Sequence, residues 1–197
     1  MKKGIILIVS VLLLAFQNPG GYGIGDAAMD FKLKGVDDRE WSLSDFSDAK
    51  GHIVIFTCNS CPYAVAYEDR IIALDKKYKP LGYPVIAINP SGESEQENLE
   101  AMKARAREKS FSFPYVSDAD QKLYPVYGAV RTPHAFVLKK QDGKNIVKYI
   151  GAIDNNYENP EEVTDKYIEE AVDALLDGRE VIRTRTVAIG CAIKPKK

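Results

Sequence analysis

Two cysteines stand three positions apart in FTCNSCPYA, residues 56–64, after an apolar run and just before a proline. Such a pair can serve as half of a zinc site, as a structural staple or as a redox couple. Zinc would need two further ligands converging on Cys58 and Cys61. The other histidines and cysteine are His52, His134 and Cys191, and none forms a second closely spaced pair. A staple across so short a loop would remove little entropy from the unfolded chain by the loop-length argument. The redox reading is stronger, because a thiol at a strand-to-helix junction meets the unpaired N–H groups and positive dipole end of the helix, which favour thiolate. On that basis Cys58 is expected to attack, and Cys61, one turn later, to resolve the mixed disulfide.

The flanking pattern supplies the junction. HIVIF, residues 52–56, is a short β-branched run that suits a buried central strand. From Pro62, apolar residues recur at helical intervals through Ala64, Val65, Tyr67, Ile71, Ile72, Leu74 and Tyr78 until Pro80 ends the helix. Pro62 is tolerated in the first turn because its missing N–H would be unpaired there anyway.

Upstream, residues 25–46 read as an N-terminal hairpin turning at Asp37-Asp38, with Trp41, the sole tryptophan, in the core. Downstream, residues 83–90 predict a second buried strand. Ser94 and Glu97 form a capping-box pattern before an exposed, charged helix. A short strand at FPYVSD and a short helix around Pro125 follow, and then two strands joined at Asp142-Gly143. A last amphipathic helix is expected from Asn159 as N-cap and Pro160 to Gly178, through Val163, Tyr167, Ile168, Ala171, Val172 and Leu175. The order predicts an α/β protein with a mixed sheet and helices on both faces.

A second signal is Thr132-Pro133, immediately before a strand in VRTPHAFVL. Proline at a strand's first position is ordinary when taken alone. Combined with the cysteine pair it resembles the thioredoxin superfamily, whose cis-proline loop packs against the two sulfurs and offers substrate a backbone edge. The resemblance implies a thioredoxin fold, substrate binding at Thr132 and Pro133, and a cis bond between them. From about Gly25 to Lys194 the chain more closely resembles the redoxin group related to AhpC/TSA proteins, which bridges thioredoxins and peroxiredoxins. GDAAMDFKLKGVD, FTCNSCPYA, YGAVRTPHAFVL, GAIDNN and GCAIK stand in that group's order. The implied activity is thiol redox chemistry at a Cys58–Cys61 disulfide, with no bound cofactor.

The peroxiredoxin signature P-x-x-x-T-x-x-C is absent. Gly51 and Ile55 hold its proline and threonine positions relative to Cys58, and Val54 and Cys58 hold them relative to Cys61. Hydroperoxide reduction, an antioxidant role, therefore ranks behind disulfide exchange, and a non-catalytic binding module ranks behind both. Asn59-Ser60 between the cysteines leaves reductase and oxidase directions open. His134 reads as packing, with tuning of the cysteines the sharper alternative. GAIDNNYENPEE reads as a turn and helix cap, not a metal loop.

The chain has 197 residues, 45% of them hydrophobic, which fits one domain with a full core. Its 27 basic and 28 acidic residues are interspersed and give a net charge of −1, so no footprint for nucleic acid stands out. Lys2 and Lys3 precede an apolar run over residues 5–16. Twelve helical residues would span roughly 18 Å against a hydrocarbon core of roughly 30 Å, which suits a secretory signal better than a membrane span. The expected organisation is a signal peptide or anchor over residues 1–22, a redoxin domain over 23–180 and a tail over 181–197. The expected location is exported, in the periplasm or cell envelope if bacterial, with membrane attachment only if the leader stays uncleaved. Partners would be protein or small-molecule thiols and disulfides, with a redox partner that gives or accepts electrons. Cys191, the odd cysteine, is a candidate accessory thiol: packing is its plain reading, a relay with the pair or a link between chains its sharper one.

Overall fold

The computed structural model describes residues 20–91 and 94–196. Most of the expected leader, residues 1–19, lies outside them. In chain order the elements are β1 (Ala27–Ala28), β2 (Leu33–Lys34), β3 (Glu40–Trp41), β4 (Gly51–Phe56), α1 (Pro62–Tyr78), β5 (Val85–Asn89) and α2 (Leu99–Lys109). Then come β6 (Tyr115–Ser117), α3 (Tyr124–Tyr127), β7 (Arg131–Thr132), β8 (His134–Gln141), β9 (Lys144–Gly151), α4 (Tyr167–Leu176) and β10 (Cys191–Ala192).

Six strands form the central sheet in the order β1-β9-β8-β4-β5-β6. β4, β5 and β6 run parallel; on the other side of β4, β8 runs antiparallel to it and β9 antiparallel to β8. Every residue of β4 is buried, because side chains leave both faces of a strand and both faces are covered. Ile53 and Ile55 join one core with Tyr67, Ile71 and Leu74 of α1, Met102 of α2, and Ile168 and Val172 of α4. Val54 and Phe56 join the other, with Leu123, Tyr127 of α3, Phe31 and Leu43. The mixed sheet is as expected. Its second face, however, is covered mainly by N-terminal segments, α3 being a single four-residue turn.

The Asp142-Gly143 hairpin is present, with both residues at positive φ (50° and 75°), the backbone of a two-residue primed turn. The N-terminal hairpin pairs β2 with β3. Trp41 differs from expectation: it is half-buried, its indole N–H donating to Asp37 Oδ1 at 3.0 Å and its ring lying under Arg39. Tyr22 packs edge-on against Tyr127, with ring centres 5.0 Å apart.

The last helix also starts later than expected. Asn159 caps only a 3-10 turn, Pro160–Glu162, its Oδ1 accepting from Glu161 N at 3.0 Å. The chain then extends, because Asn155 holds it: its amide donates to Thr164 Oγ1 and Asp165 Oδ2, and its backbone N–H to Asp165 O. Only at Tyr167 does α4 begin, so Val163 lies outside it.

Candidate active site

β4 ends at Phe56 and α1 begins at Pro62, and this turn presents both cysteines from the middle of the sheet. Cys61 is the N-cap of α1 and Pro62 its first residue. Thr132 joins the two sulfurs from across the sheet. Its hydroxyl lies 3.1 Å from Cys58 Sγ, and its carbonyl accepts from the Cys61 thiol, also at 3.1 Å. The Thr132-Pro133 bond is cis. Cys58, Cys61, Thr132 and Pro133 are thus brought together from segments more than seventy residues apart.

The electrostatics differ from the sequence expectation. Burial pushes the Cys58 thiol up to about 11, and the nearby Glu97 carboxylate adds to the rise; the Thr132 hydroxyl and the Cys61 N–H pull the other way without cancelling it. The Cys61 thiol is lowered. Burial opposes that shift, but hydrogen bonds from the Cys191 thiol, the N–H groups of Ala64 and Cys191, and Thr132 together outweigh it. The reason is positional. The helix begins after Cys61, so its N–H groups serve Cys61 and leave Cys58 one turn away.

Glu97 was not legible as a site residue. Its expected capping-box role belongs instead to Asn98, whose Oδ1 accepts from Ala101 N at 2.9 Å. The Glu97 carboxylate is buried under the cysteine loop and accepts from the backbone N–H of Asn59 and of Ser60, each at 2.9 Å, and from Asn89 Nδ2 at 2.8 Å. The Ser60 hydroxyl donates to it as well. Tyr115 OH donates to Asn59 Oδ1 at 2.9 Å, so the Asn59-Ser60 dipeptide between the cysteines is fixed from both sides.

A prediction follows for Glu97→Gln. An amide cannot accept from all these donors, so stability should fall by about 1–3 kcal/mol. Removing the negative charge should also move the Cys58 titration downward. Alkylation of the reduced variant as a function of pH, resolved by peptide mass, checks this. An unmoved or raised Cys58 midpoint would mean that the carboxylate acts only as scaffold.

His134 follows its plainer reading. Its Nδ1 accepts from Val130 N at 3.3 Å, its ring lies 4.9 Å from that of Phe136, and burial lowers it to about 4, so it is neutral at pH 7. In the GAIDNN loop, Asp154 accepts from Tyr67 OH and Arg70, and Arg70 also donates to the carbonyls of Asn156 and Tyr157. The loop's acidic group is engaged in fastening it to α1.

Cys191 lies in β10, which pairs antiparallel with β7 in the register Cys191↔Thr132. The expected tail therefore folds back onto the cysteine pair. Among the described residues, no helix is long and apolar enough to cross a membrane.

The model of the AhpC/TSA family matches residues 24–150. The thiol-disulfide oxidoreductase ResA of Bacillus thuringiensis is 26% identical over 167 residues, spanning 77% of this chain and 91% of that protein. Among solved structures, a hypothetical protein of Sinorhizobium meliloti is 31% identical with a TM-score of 0.80, covering 89% of this chain and 96% of its own. An uncharacterized conserved protein of Geobacillus kaustophilus is 32% identical with the same TM-score, covering 88% and 93%. A putative thiol:disulfide interchange protein DsbE of Chlorobium tepidum, 22% identical with a TM-score of 0.59 over 78% of this chain and 98% of that one, shares the fold.

Proposed function

The chain belongs to the AhpC/TSA family of thioredoxin-like redoxins, and we propose that this thiol-disulfide oxidoreductase exchanges disulfides through Cys58 and Cys61 and, from the lysines and apolar run over residues 2–16, that it is exported. The observation that carries the reading is the contact of Thr132 with both sulfurs. One residue from a distant strand holds the two thiols of a strand-to-helix turn at a common edge, which packing alone does not require.

The reaction runs in two displacements. The Cys58 thiolate attacks one sulfur of a substrate disulfide, and the substrate's other sulfur leaves as thiolate. Cys61 then attacks Cys58 Sγ, the bond to the first substrate sulfur breaks, and the Cys58–Cys61 disulfide remains while the substrate leaves as a dithiol. The lowered Cys61 thiol suits the second step, since it is the more readily deprotonated of the pair. Both thiols are buried, Cys58 at 7% and Cys61 at 3% exposure, so Cys58 is the outer partner by a small margin; Cys61 is further covered by the Thr132 carbonyl, the first turn of α1 and the tail. Thr132 and Pro133 form the edge on which the substrate is held. The substrates are protein or small-molecule disulfides, and a second redox partner restores the dithiol.

Titration in glutathione buffers tests the reading. The Cys58 and Cys61 peptides should interconvert between dithiol and disulfide with two-electron behaviour, a tenfold change in ratio per about 30 mV. If both thiols stay free across the whole range, exchange is not the activity. Export is tested by the N-terminal mass of the protein recovered from the cell envelope, where a chain still beginning at Met1 would count against cleavage.

A further inference from the structure

The three cysteines form one cluster. Cys58 and Cys61 pack with Ala64, and Cys191 lies against them. The Cys191 N–H points at Cys61 Sγ, 3.4 Å away, and its thiol is within hydrogen-bonding reach of the same sulfur. Cys61 is therefore in contact with a thiol arriving from each side of the chain.

The tail is fastened on both sides of Cys191. Arg131 Nη1 donates to Gly190 O at 2.8 Å, and Ile193 N donates to Val130 O at 3.1 Å. Gln121 accepts from Lys196 N and donates to Lys194 O. At Gly190 a Cβ would collide with the Thr132 carbonyl, so only glycine allows the strand to come this close to the site. Ordering a terminal segment costs about 1–2 kcal/mol per residue, which these bonds must offset. A spare cysteine packed as a small hydrophobe would need no such alignment, and Cys191 is only half-buried.

We propose that Cys191 is a third exchange thiol, which takes over the disulfide from Cys58 and Cys61 and so frees Cys58 for another substrate. The proposal rests on the Cys58–Cys61 reading above. The Cys191 thiolate attacks Cys61 Sγ, the bond between Cys61 and Cys58 breaks, and its electron pair leaves on Cys58, which takes up the proton that Cys191 gave away. One disulfide replaces another, so no outside oxidant or reductant is consumed. A dithiol donor then reduces the Cys61–Cys191 bond. Acidity sets no direction here, since burial pushes the Cys58 and Cys191 thiols alike up to about 11; the exchange is drawn forward by the dithiol donor, which removes the Cys61–Cys191 bond as it forms.

The full chain, Cys58→Ser and Cys191→Ser are equilibrated in glutathione buffer, quenched with acid, alkylated and digested without reduction for mass mapping. The full chain should yield both Cys58–Cys61 and Cys61–Cys191 peptides, and Cys58→Ser the Cys61–Cys191 peptide. Cys191→Ser should keep the Cys58–Cys61 couple yet lose about tenfold or more in turnover of insulin disulfides with a dithiol donor. Absence of a Cys61–Cys191 bond from both the full chain and Cys58→Ser would overturn the relay, as would Cys191→Ser turnover within about twofold of the full chain. A Cys191→Ser protein with no Cys58–Cys61 couple would sink the exchange reading itself, and the relay with it. Matching far-ultraviolet spectra across the three proteins exclude a folding defect as the cause of lost turnover.

Discussion

Cys58→Ser is expected to reduce disulfide exchange by about a thousandfold or more, because it removes the sulfur that opens the substrate bond. Cys61→Ala should behave differently. Made together with Cys191→Ser, so that no second thiol is left to resolve the intermediate, it should still attack and then stall as a mixed disulfide on Cys58. Acidity alone would suggest the reverse assignment, since Cys61 is the lowered thiol and Cys58 the raised one. Access decides for Cys58. Substrate sulfur must approach in line with the bond it breaks, and Cys61 has the Thr132 carbonyl, the Cys191 amide and the start of α1 around it. Non-reducing gels and peptide masses after incubation with a disulfide substrate check the result. A substrate adduct on Cys61 in the Cys58→Ser protein would exchange the two roles.

How much of this site the sequence reveals depends on how far apart its parts lie along the chain. The apolar run over β4, the helical period after Pro62 and the turn at Asp142-Gly143 are local signals, and each produced its element. Thr132 and Pro133 come to the cysteines only through the resemblance to thioredoxins, because no periodicity links residues that far apart. Glu97 had a competing local explanation, a capping box with Ser94, and only the folded chain shows its carboxylate turned inward to the amides of Asn59 and Ser60. The thiol acidities followed the same rule. A dipole argument from the sequence cannot tell which cysteine is the N-cap, and that one position decides which sulfur receives the helix N–H groups. The late start of α4 is likewise a matter of Asn155 capturing Thr164 and Asp165. Gly190 and the odd cysteine leave the tail free to reach the pair, but its register, Cys191 opposite Thr132, comes from pairing across the fold.

The protein should also lose stability steeply in mild acid, through its two histidines. His52 and His134 are both buried, and burial is the first cause that lowers each to about 4 from an ordinary 6.5. Above pH 6.5 both are neutral whether the chain is folded or not, and they contribute nothing to the pH dependence. As pH falls below 6.5 the unfolded chain takes up two protons that the folded chain refuses, so stability is lost from 6.5 down to about 4 and then levels off for these groups. The slope follows from linkage, about 1.4 kcal/mol per pH unit for each proton taken up on unfolding, or about 2.7 for the pair. By pH 5 the loss is about 4 kcal/mol, a large share of the roughly 5–15 kcal/mol that holds a domain folded. Carboxylates lowered by salt bridges or hydrogen bonds, such as Asp38 and Asp165, act in the same direction, but as groups held below the ordinary carboxylate range they contribute only at lower pH. Urea unfolding at half-unit steps from pH 7.5 to 5 measures the slope. His134→Asn should roughly halve it, and it leaves Cys58, Cys61 and Thr132 in place. A slope near zero across that range, or one unchanged in His134→Asn, would show that the buried imidazoles accept protons without unfolding the chain.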